Sequence, residues 1–221
     1  MNRKKPVVFC DFDGTFAEKD VGHRIFRHFS NGKNMELVRQ WRAEEISSRE
    51  CLTKEAAMIN VRPDEFYHYV DQFELRKGAV DFYNRLKNSR IPFYIVSDGA
   101  DIYIKHILAK NKLAEIPVFS NRVTISDNNY IMEFPYENDG CARCGSCKGV
   151  RIREVVSGRK SDYEIVFIGD GLSDICAVPE ADTIFARGDL LEFCRQKGII
   201  AIEYKDFFDI LNMLEKSGFI P

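Results

Sequence analysis

Short, uninterrupted apolar runs, each closed by a turn residue or an acid, punctuate this chain: Val7–Cys10 (VVFC), Phe93–Val96 (FYIV), Val118–Phe119, Ile165–Ile168 (IVFI), Thr183–Ala186 (TIFA) and Ile199–Ile202 (IIAI). They lack the in-and-out alternation of a half-exposed strand, so they predict strands buried on both faces of a parallel sheet. Between them lie stretches of helical period; in Lys77–Ser89, for example, Val80, Tyr83 and Leu86 fall on one face. Strands alternating with helices predict an α/β fold: a three-layer, Rossmann-like parallel sheet core.

Two segments depart from this rhythm. Residues 17–75 contain no strand-like run. Val21, Ile25, Phe26 and Phe29 form a helical stripe, and Ser47-Ser48-Arg49-Glu50 has the form of a capping box opening a helix through about Ile59. Pro63 can start a further helix with Phe66, Val70 and Phe73 on one face. Inserted directly after the first strand, this block predicts a small α-helical cap (17–75) on a core made of 1–16 and 76–221. The second departure is RVTISDNNYIMEF (122–134), whose β-rich arms around Asp127-Asn128-Asn129 predict a β-hairpin insert.

A length of 221 residues suits one substantial domain with a smaller insert. With 45% hydrophobic and 30% charged residues, disorder is excluded. A formal net charge of −2 gives no electrostatic reason to expect nucleic acid or an anionic membrane as partner. No apolar run is long enough to span a bilayer. The basic start reaches Asp11 and Asp13 after too short an apolar stretch for a secretory signal. The chain therefore reads as cytoplasmic, a compartment that keeps its seven cysteines reduced.

Chemistry enters at the strand ends. The first run leads straight into Asp11-Phe12-Asp13-Gly14-Thr15, and IVFI leads into Gly169-Asp170-Gly171-Leu172-Ser173-Asp174. Ligands of open parallel sheets bind beyond the carboxyl ends of the strands. Two acids two residues apart can face one space there, and Gly14 lets the backbone turn and approach a ligand. A lone Asp-x-Asp is usually a solvated turn, but two acidic strand ends in one chain point elsewhere. Asp11, Asp13, Asp170 and Asp174 converging on one crevice would repel one another without a cation. An all-oxygen site of this kind suits Mg²⁺, with a phosphate completing the coordination.

The segment CDFDGT resembles the first motif of the haloacid dehalogenase superfamily of phosphatases. Ser97 ending FYIVS, Lys148 in CKG, and GDGLSD follow in that superfamily's order, and the helical insert stands where its type-1 cap stands. The resemblance implies an Mg²⁺-dependent phosphatase with Asp11 as nucleophile, forming an aspartyl-phosphate. Asp13 would be the general acid and base. Ser97 and the backbone N–H groups of Gly14 and Asp98 would hold the phosphate oxygens. Lys148 would offset the charge on the nucleophile and the phosphoryl group. It further implies Mg²⁺ on Asp11, the Asp13 carbonyl and Asp170, with Asp174 as ligand or supporting partner. Thr15 would steady the loop.

Finer features bear on the substrate. Phosphoserine phosphatases carry a glutamate nine positions after the nucleophile, where this chain has Asp20, with Glu18 two residues earlier. The FYIVS strand, the polar hairpin, the Cys-rich approach to CKG, and Phe185–Arg187 followed by Asp189-Leu190-Leu191 look more like the methionine-salvage phosphatases. Those act on 2-hydroxy-3-keto-5-methylthiopentenyl-1-phosphate and have phosphoethanolamine/phosphocholine phosphatases as cousins. That group typically reads Ser-Gly-Gly where this chain reads Ser97-Asp98-Gly99. The expected partner is a small phosphorylated metabolite, with phosphoserine, phosphoethanolamine, phosphocholine and pyridoxal phosphate as alternative substrates. A non-catalytic binding protein on the same fold is the alternative in another class, and loss of Asp11 or Asp13 would have favoured it. In the cap, His23, Arg24, Arg27 and His28 are expected on a solvated helix face.

One motif stands outside this scheme. In Gly140–Gly149 (GCARCGSCKG), Cys141, Cys144 and Cys147 recur at two-residue intervals beside Lys148. They resemble part of a thiolate metal site, which needs a fourth ligand. Cys176 and Cys194 are remote in sequence, so packed thiols are the preferred reading, in a loop that delivers Lys148 to a helix starting near Val150.

Overall fold

The run VVFC occupies the middle of a seven-stranded sheet. In the computed structural model, which describes residues 4–220 and so leaves the basic start at 1–3 and Pro221 outside, β1 (Lys5–Cys10) pairs in parallel with β2 (Phe93–Ala100) and β5 (Tyr163–Gly169). The remaining strands are β3 (Val118–Ser126), β4 (Asn129–Glu133), β6 (Thr183–Ala186) and β7 (Ile202–Glu203), in the order β4-β3-β2-β1-β5-β6-β7. Every pairing is parallel except β3 with β4.

Alternate residues of β1 serve two cores. Val8 and Cys10 join one apolar cluster, and Val7 and Phe9 the other. The first is closed by α5 (Ala79–Asn88), α6 (Asp101–Lys110) and α9 (Phe207–Lys216), through residues such as Phe82, Ile104 and Phe207. The second is closed by α7 (Lys148–Val155) and α8 (Gly188–Gln196), through Ile152, Leu190 and Leu191. With each fully buried side chain contributing about 1.5–3 kcal/mol, both faces of the central strand are strongly held, and its carboxyl end is fixed in space.

Residues 21–70 form α1 (Val21–Phe29), α2 (Met35–Arg42), α3 (Ser48–Ala56) and α4 (Pro63–Val70). Local signals set their starts. Ser47 accepts from the Glu50 N–H at 3.2 Å, Asp20 caps α1 by accepting from the His23 N–H at 2.9 Å, and Pro63 opens α4. The α2 helix has no counterpart in the periodicity reading, because Leu37 is its only buried residue. Val21, Ile25, Phe66 and Val70 lie in the same apolar cluster as Phe12, Phe16 and Tyr103, so these helices pack onto the sheet's own core.

Three boundaries differ from expectation. The IIAI run yields strand only at Ile202–Glu203, and Ile200 is 91% exposed; the run crosses the connection after α8, where Gly198 turns the chain at φ +66°. The hairpin turn is two residues long: Ser126 faces Asn129 across Asp127 and Asn128, both at positive φ, as a tight hairpin of this twist demands. The lysine helix begins at Lys148 itself rather than near Val150.

Candidate active site

The carboxyl ends of β1, β2 and β5 lie side by side, and α7 brings its first residue beneath them. Lys148, 1% exposed, places its Nζ 2.7 Å from Asp11 Oδ1, 2.5 Å from Asp174 Oδ1 and 2.9 Å from Ser173 Oγ. Burial by itself would push the ammonium down; Asp11 and Asp174 outweigh it and hold Lys148 well above its ordinary value. It is a fixed cation at working pH. Asp174 spends its other oxygen on the N–H groups of Asp170 (2.9 Å) and Gly171 (2.8 Å), closing the loop after β5 on itself. Both Asp174 oxygens are thus engaged, and its part is to hold Lys148 and this loop in register.

Asp13 sits in a different environment. Its Oδ1 accepts from the Gly22 N–H at 2.9 Å, and its Oδ2 accepts from the Tyr103 hydroxyl at 2.7 Å. Burial and the nearby Asp20 push its carboxyl up to about 7, against the opposing pull of these hydrogen bonds. Asp11 is also pushed well up, by burial first, with Lys148 pulling it back toward the charged form. Two carboxylates two residues apart therefore differ in kind. Asp11 is paired with a buried cation, whereas Asp13 is held by hydrogen bonds from a backbone N–H and a tyrosine hydroxyl. Tyr103 reaches Asp13 only because Gly99 has no side chain: a Cβ there would stand 1.9 Å from the tyrosine oxygen and 2.6 Å from Asp13 Oδ2.

The loop between Asp11 and Ala17 is braced from below. Arg76, buried, donates to the carbonyls of Thr15 (2.9 Å), Gly14 (2.5 Å) and Glu18 (3.0 Å). Thr15 Oγ1 donates to Asp170 Oδ1 at 3.0 Å, joining the first acidic strand end to the second. Gly14 has φ +73°, and a Cβ on it would meet Asp170 Oδ2 at 2.4 Å, so only glycine fits. The Gly14 N–H, expected to hold phosphate, donates instead to the Lys19 carbonyl at 2.9 Å. The turn uses that donor to close itself, and glycine is there for shape.

Ser97, 1% exposed, ends the regular part of β2; its hydroxyl accepts from the Gly99 N–H at 2.9 Å and lies 3.5 Å from Asp13 Oδ2. The Asp98 carboxylate is turned toward the loop before α7. Its Oδ1 accepts from the Ser146 N–H at 2.7 Å, while Asn121 donates to the Asp98 carbonyl at 2.6 Å. The acid that interrupts a Ser-Gly-Gly pattern is thus a brace for the loop preceding Lys148.

Above these groups opens a cavity of about 550 Å³. Its floor includes Asp11, Asp13, Ser97 and Asp170. Its far wall comes from the helical segment: Phe26, Met35, Val38, Trp41 and Leu52 are apolar, and Asp20 and Glu55 are acidic. His23 also lines it, whereas Arg24, Arg27 and His28 face outward, His28 stacked on Tyr69 at 3.9 Å. One member of the expected solvated face therefore turns inward.

The structure brings Asp11, Asp170 and Asp174 together, with carboxylate oxygens within 4.8 Å of one another. Burial and Asp174 push Asp170 up to about 7, the mark of negative charge that Lys148 does not fully offset. An uncompensated set of hard oxygen donors fits Mg²⁺. Four contributors were not visible in the sequence. Three of them, Tyr103, Arg76 and Asn121, have no part in the sequence reading and show their roles only through contacts in the fold. Cys176, the fourth, lies beside Cys141, Cys144 and Cys147. No spacing signal ties any of them to the motifs they support.

Residues 6–195 match the model of a family described as Putative Phosphatase. A 2-hydroxy-3-keto-5-methylthiopentenyl-1-phosphate phosphatase of Bacillus pumilus is 31% identical, over 94% of this chain and 90% of its own length. The protein of the same name in Geobacillus kaustophilus is also 31% identical, over 96% and 97%. Among solved structures, one described as a phospho-aspartyl intermediate analogue of phosphoserine phosphatase shares the fold. Its TM-score is 0.72 at 22% identity, covering 96% of this chain and 99% of that one.

Proposed function

The chain belongs to the Putative Phosphatase family, with the haloacid dehalogenase fold, and we propose that it hydrolyses a small phosphomonoester through an aspartyl-phosphate on Asp11. The observation that carries this reading is the contrast on the cavity floor. Asp11 is tied to the buried Lys148 at 2.7 Å, while Asp13 is held by the Tyr103 hydroxyl and the Gly22 N–H, with its carboxyl pushed up to about 7 by burial. The Asp11 oxygen not bound by Lys148 attacks phosphorus, forming one P–O bond as the bond to the ester oxygen breaks. Asp13 passes its proton to the departing oxygen, then takes one from the water that attacks the aspartyl-phosphate, releasing phosphate and restoring both acids. Ser97 Oγ and the Asp98 N–H hold the phosphate oxygens, and Lys148 balances charge on Asp11 throughout.

Asp11, Asp170 and the Asp13 carbonyl would hold Mg²⁺, with Asp174 fixing the loop that carries Asp170. When bound, the ion supplies positive charge that lets a phosphate dianion approach these carboxylates. The helices α1–α4 act as the cap, closing the cavity over the substrate. The size of the cavity suits a metabolite, and such a role goes with a cytoplasmic location.

For the substrate we favour the methionine-salvage enol phosphate named for the relatives, because the far wall carries an apolar group of side chains among its polar ones. Met35, Val38, Trp41 and Leu52 suit an uncharged thioether chain. Asp20 and Glu55 favour a second reading, an amine-bearing ester such as phosphoserine, phosphoethanolamine or phosphocholine. Steady-state assays across these esters and pyridoxal phosphate separate the two, and a clear preference for phosphoserine would overturn the first. Asp11→Asn should lower kcat about 10⁴-fold or more. Rapid acid quench of the wild type should trap a phosphorylated chain that the variant does not form. Equal turnover by both proteins would sink the mechanism.

A further inference from the structure

The Cys-rich loop ends beside a fourth thiol. Cys141, Cys144 and Cys147 precede α7, and Cys176 comes from the 3-10 helical stretch Leu172–Glu180 that follows β5. All four sulfurs lie within 4.8 Å of one another, and the Cys144 and Cys176 sulfurs are 3.9 Å apart. A tetrahedral ion with Zn–S bonds of about 2.3 Å sets its sulfurs ~3.8 Å apart. A disulfide needs about 2 Å. An iron–sulfur cubane, whose sequence pattern also uses two-residue cysteine intervals, puts each thiolate on a different iron and so spreads the sulfurs more widely. The spacing here matches a single ion.

The surrounding backbone is built to hold the sulfurs in this arrangement. Asn138 donates to the carbonyls of Cys144 and Gly145, each at 2.8 Å, and accepts from the Cys147 N–H at 2.9 Å. The first turn of α7 lies directly against the Cys176 backbone: a Cβ on Gly149 would stand 2.1 Å from the Cys176 carbonyl oxygen. Cys144 and Cys147 are buried, packed with Val150 and apart from the two main cores.

We propose that this chain carries one structural zinc ion on Cys141, Cys144, Cys147 and Cys176, a site distinct from the carboxylate crevice. Four thiolates leave no open position for a water or a substrate, so the ion's role is mechanical. It joins three working parts. Cys147 is the neighbour of Lys148. Cys176 lies two residues beyond Asp174, which grips that lysine. Between Cys141 and Cys144, Arg143 donates to the Trp41 carbonyl at 3.1 Å, pairs with Glu44 at 2.9 Å and lies over the Trp41 ring, on the cavity wall. The ion thus ties the lysine, the second acidic loop and the substrate wall to one point.

Elemental analysis of protein purified under reductant and without chelator should find about one zinc per chain. Cys144→Ser and Cys176→Ser should each lower zinc content at least about tenfold, while Asp170→Asn, in the oxygen crevice, and Cys194→Ser, elsewhere in the core, should keep it. Because a thiol variant can fail to fold, wild-type protein produced in cobalt medium gives an independent reading. It should show thiolate-to-cobalt charge transfer in the near ultraviolet and the intense red-region bands of tetrahedral coordination. Zinc-free wild type with neither cobalt feature would overturn the proposal, as would zinc retained in Cys176→Ser or iron found in place of zinc.

Discussion

Two clusters of side chains share two segments of this chain, the carboxylate one adding Asp11 from the end of β1, and they differ in almost every physical respect. The carboxylate crevice takes Asp170 and Asp174 from the loop after β5, and Lys148 from the head of α7. The thiol cluster takes Cys176 from the first segment and Cys141, Cys144 and Cys147 from the approach to the second. The acids face a cavity, repel one another and are pushed toward neutrality by burial. The thiols lie outside the cavity lining, with Cys144 and Cys147 buried and Cys141 and Cys176 half-buried. Uncompensated charge is costly to hold and is therefore a sign of chemistry, while a closed thiol set is a fastening. Because the segments are shared, the fastening sits within two residues of the chemistry.

Substitutions that strike one cluster and spare the other test that division. The largest effect is expected from Lys148→Met, which keeps side-chain bulk but removes the cation between Asp11 and Asp174. Turnover should fall about 10³-fold. Stability in Mg²⁺-free buffer should drop by about 3 kcal/mol, measured by urea unfolding, because two buried carboxylates lose their partner. Metal content at the thiols should not change. Unaltered stability would show that the lysine is not the counter-charge its geometry implies.

Tyr103→Phe should act more gently and mainly through pH. In the proposed role of general acid Asp13 must carry its proton, so activity should be present below about pH 7 and should fall as pH rises through that value. The Tyr103 hydroxyl favours the charged form of Asp13, so its removal should move the alkaline limb of the kcat/KM profile to higher pH. The accompanying fall in rate should be about tenfold. A limb that moves to lower pH would contradict the assignment.

The smallest effect is expected from Asp98→Gly, which writes Ser-Gly-Gly into the chain. It should cost about 1 kcal/mol through the lost bond to the Ser146 N–H and leave the order of substrate preference unchanged. A reordered preference would make Asp98 a reader of substrate rather than a brace.

Much of the site was legible in the linear chain because its parts follow strands directly. Asp11, Asp13, Ser97, Asp170 and Asp174 all lie on or just after the ends of apolar runs, where a parallel sheet must present them on one edge. Lys148 carried no such signal in its own surroundings and was placed by the resemblance. The supporting residues were not legible. Arg76 reaches Gly14 across 62 positions and Tyr103 reaches Asp13 across 90, with nothing in their local sequence to single them out. Gly14 is expected from the sequence to let the backbone turn and approach a ligand; in the fold the neighbour it admits is the Asp170 carboxylate, and its N–H serves the turn.

The sequence by itself determined the sheet, the helical insert after β1 and the ordered set of acidic strand ends, because burial pattern and turn chemistry act over a few residues. Which of those groups pairs with the buried lysine, which is held by hydrogen bonds, and which thiol joins the other three were decided by the tertiary structure. Those properties depend on burial, hydrogen bonding and counter-charge at distances of a few ångströms. Only folding brings residues such as Cys144 and Cys176, 32 positions apart, to that range.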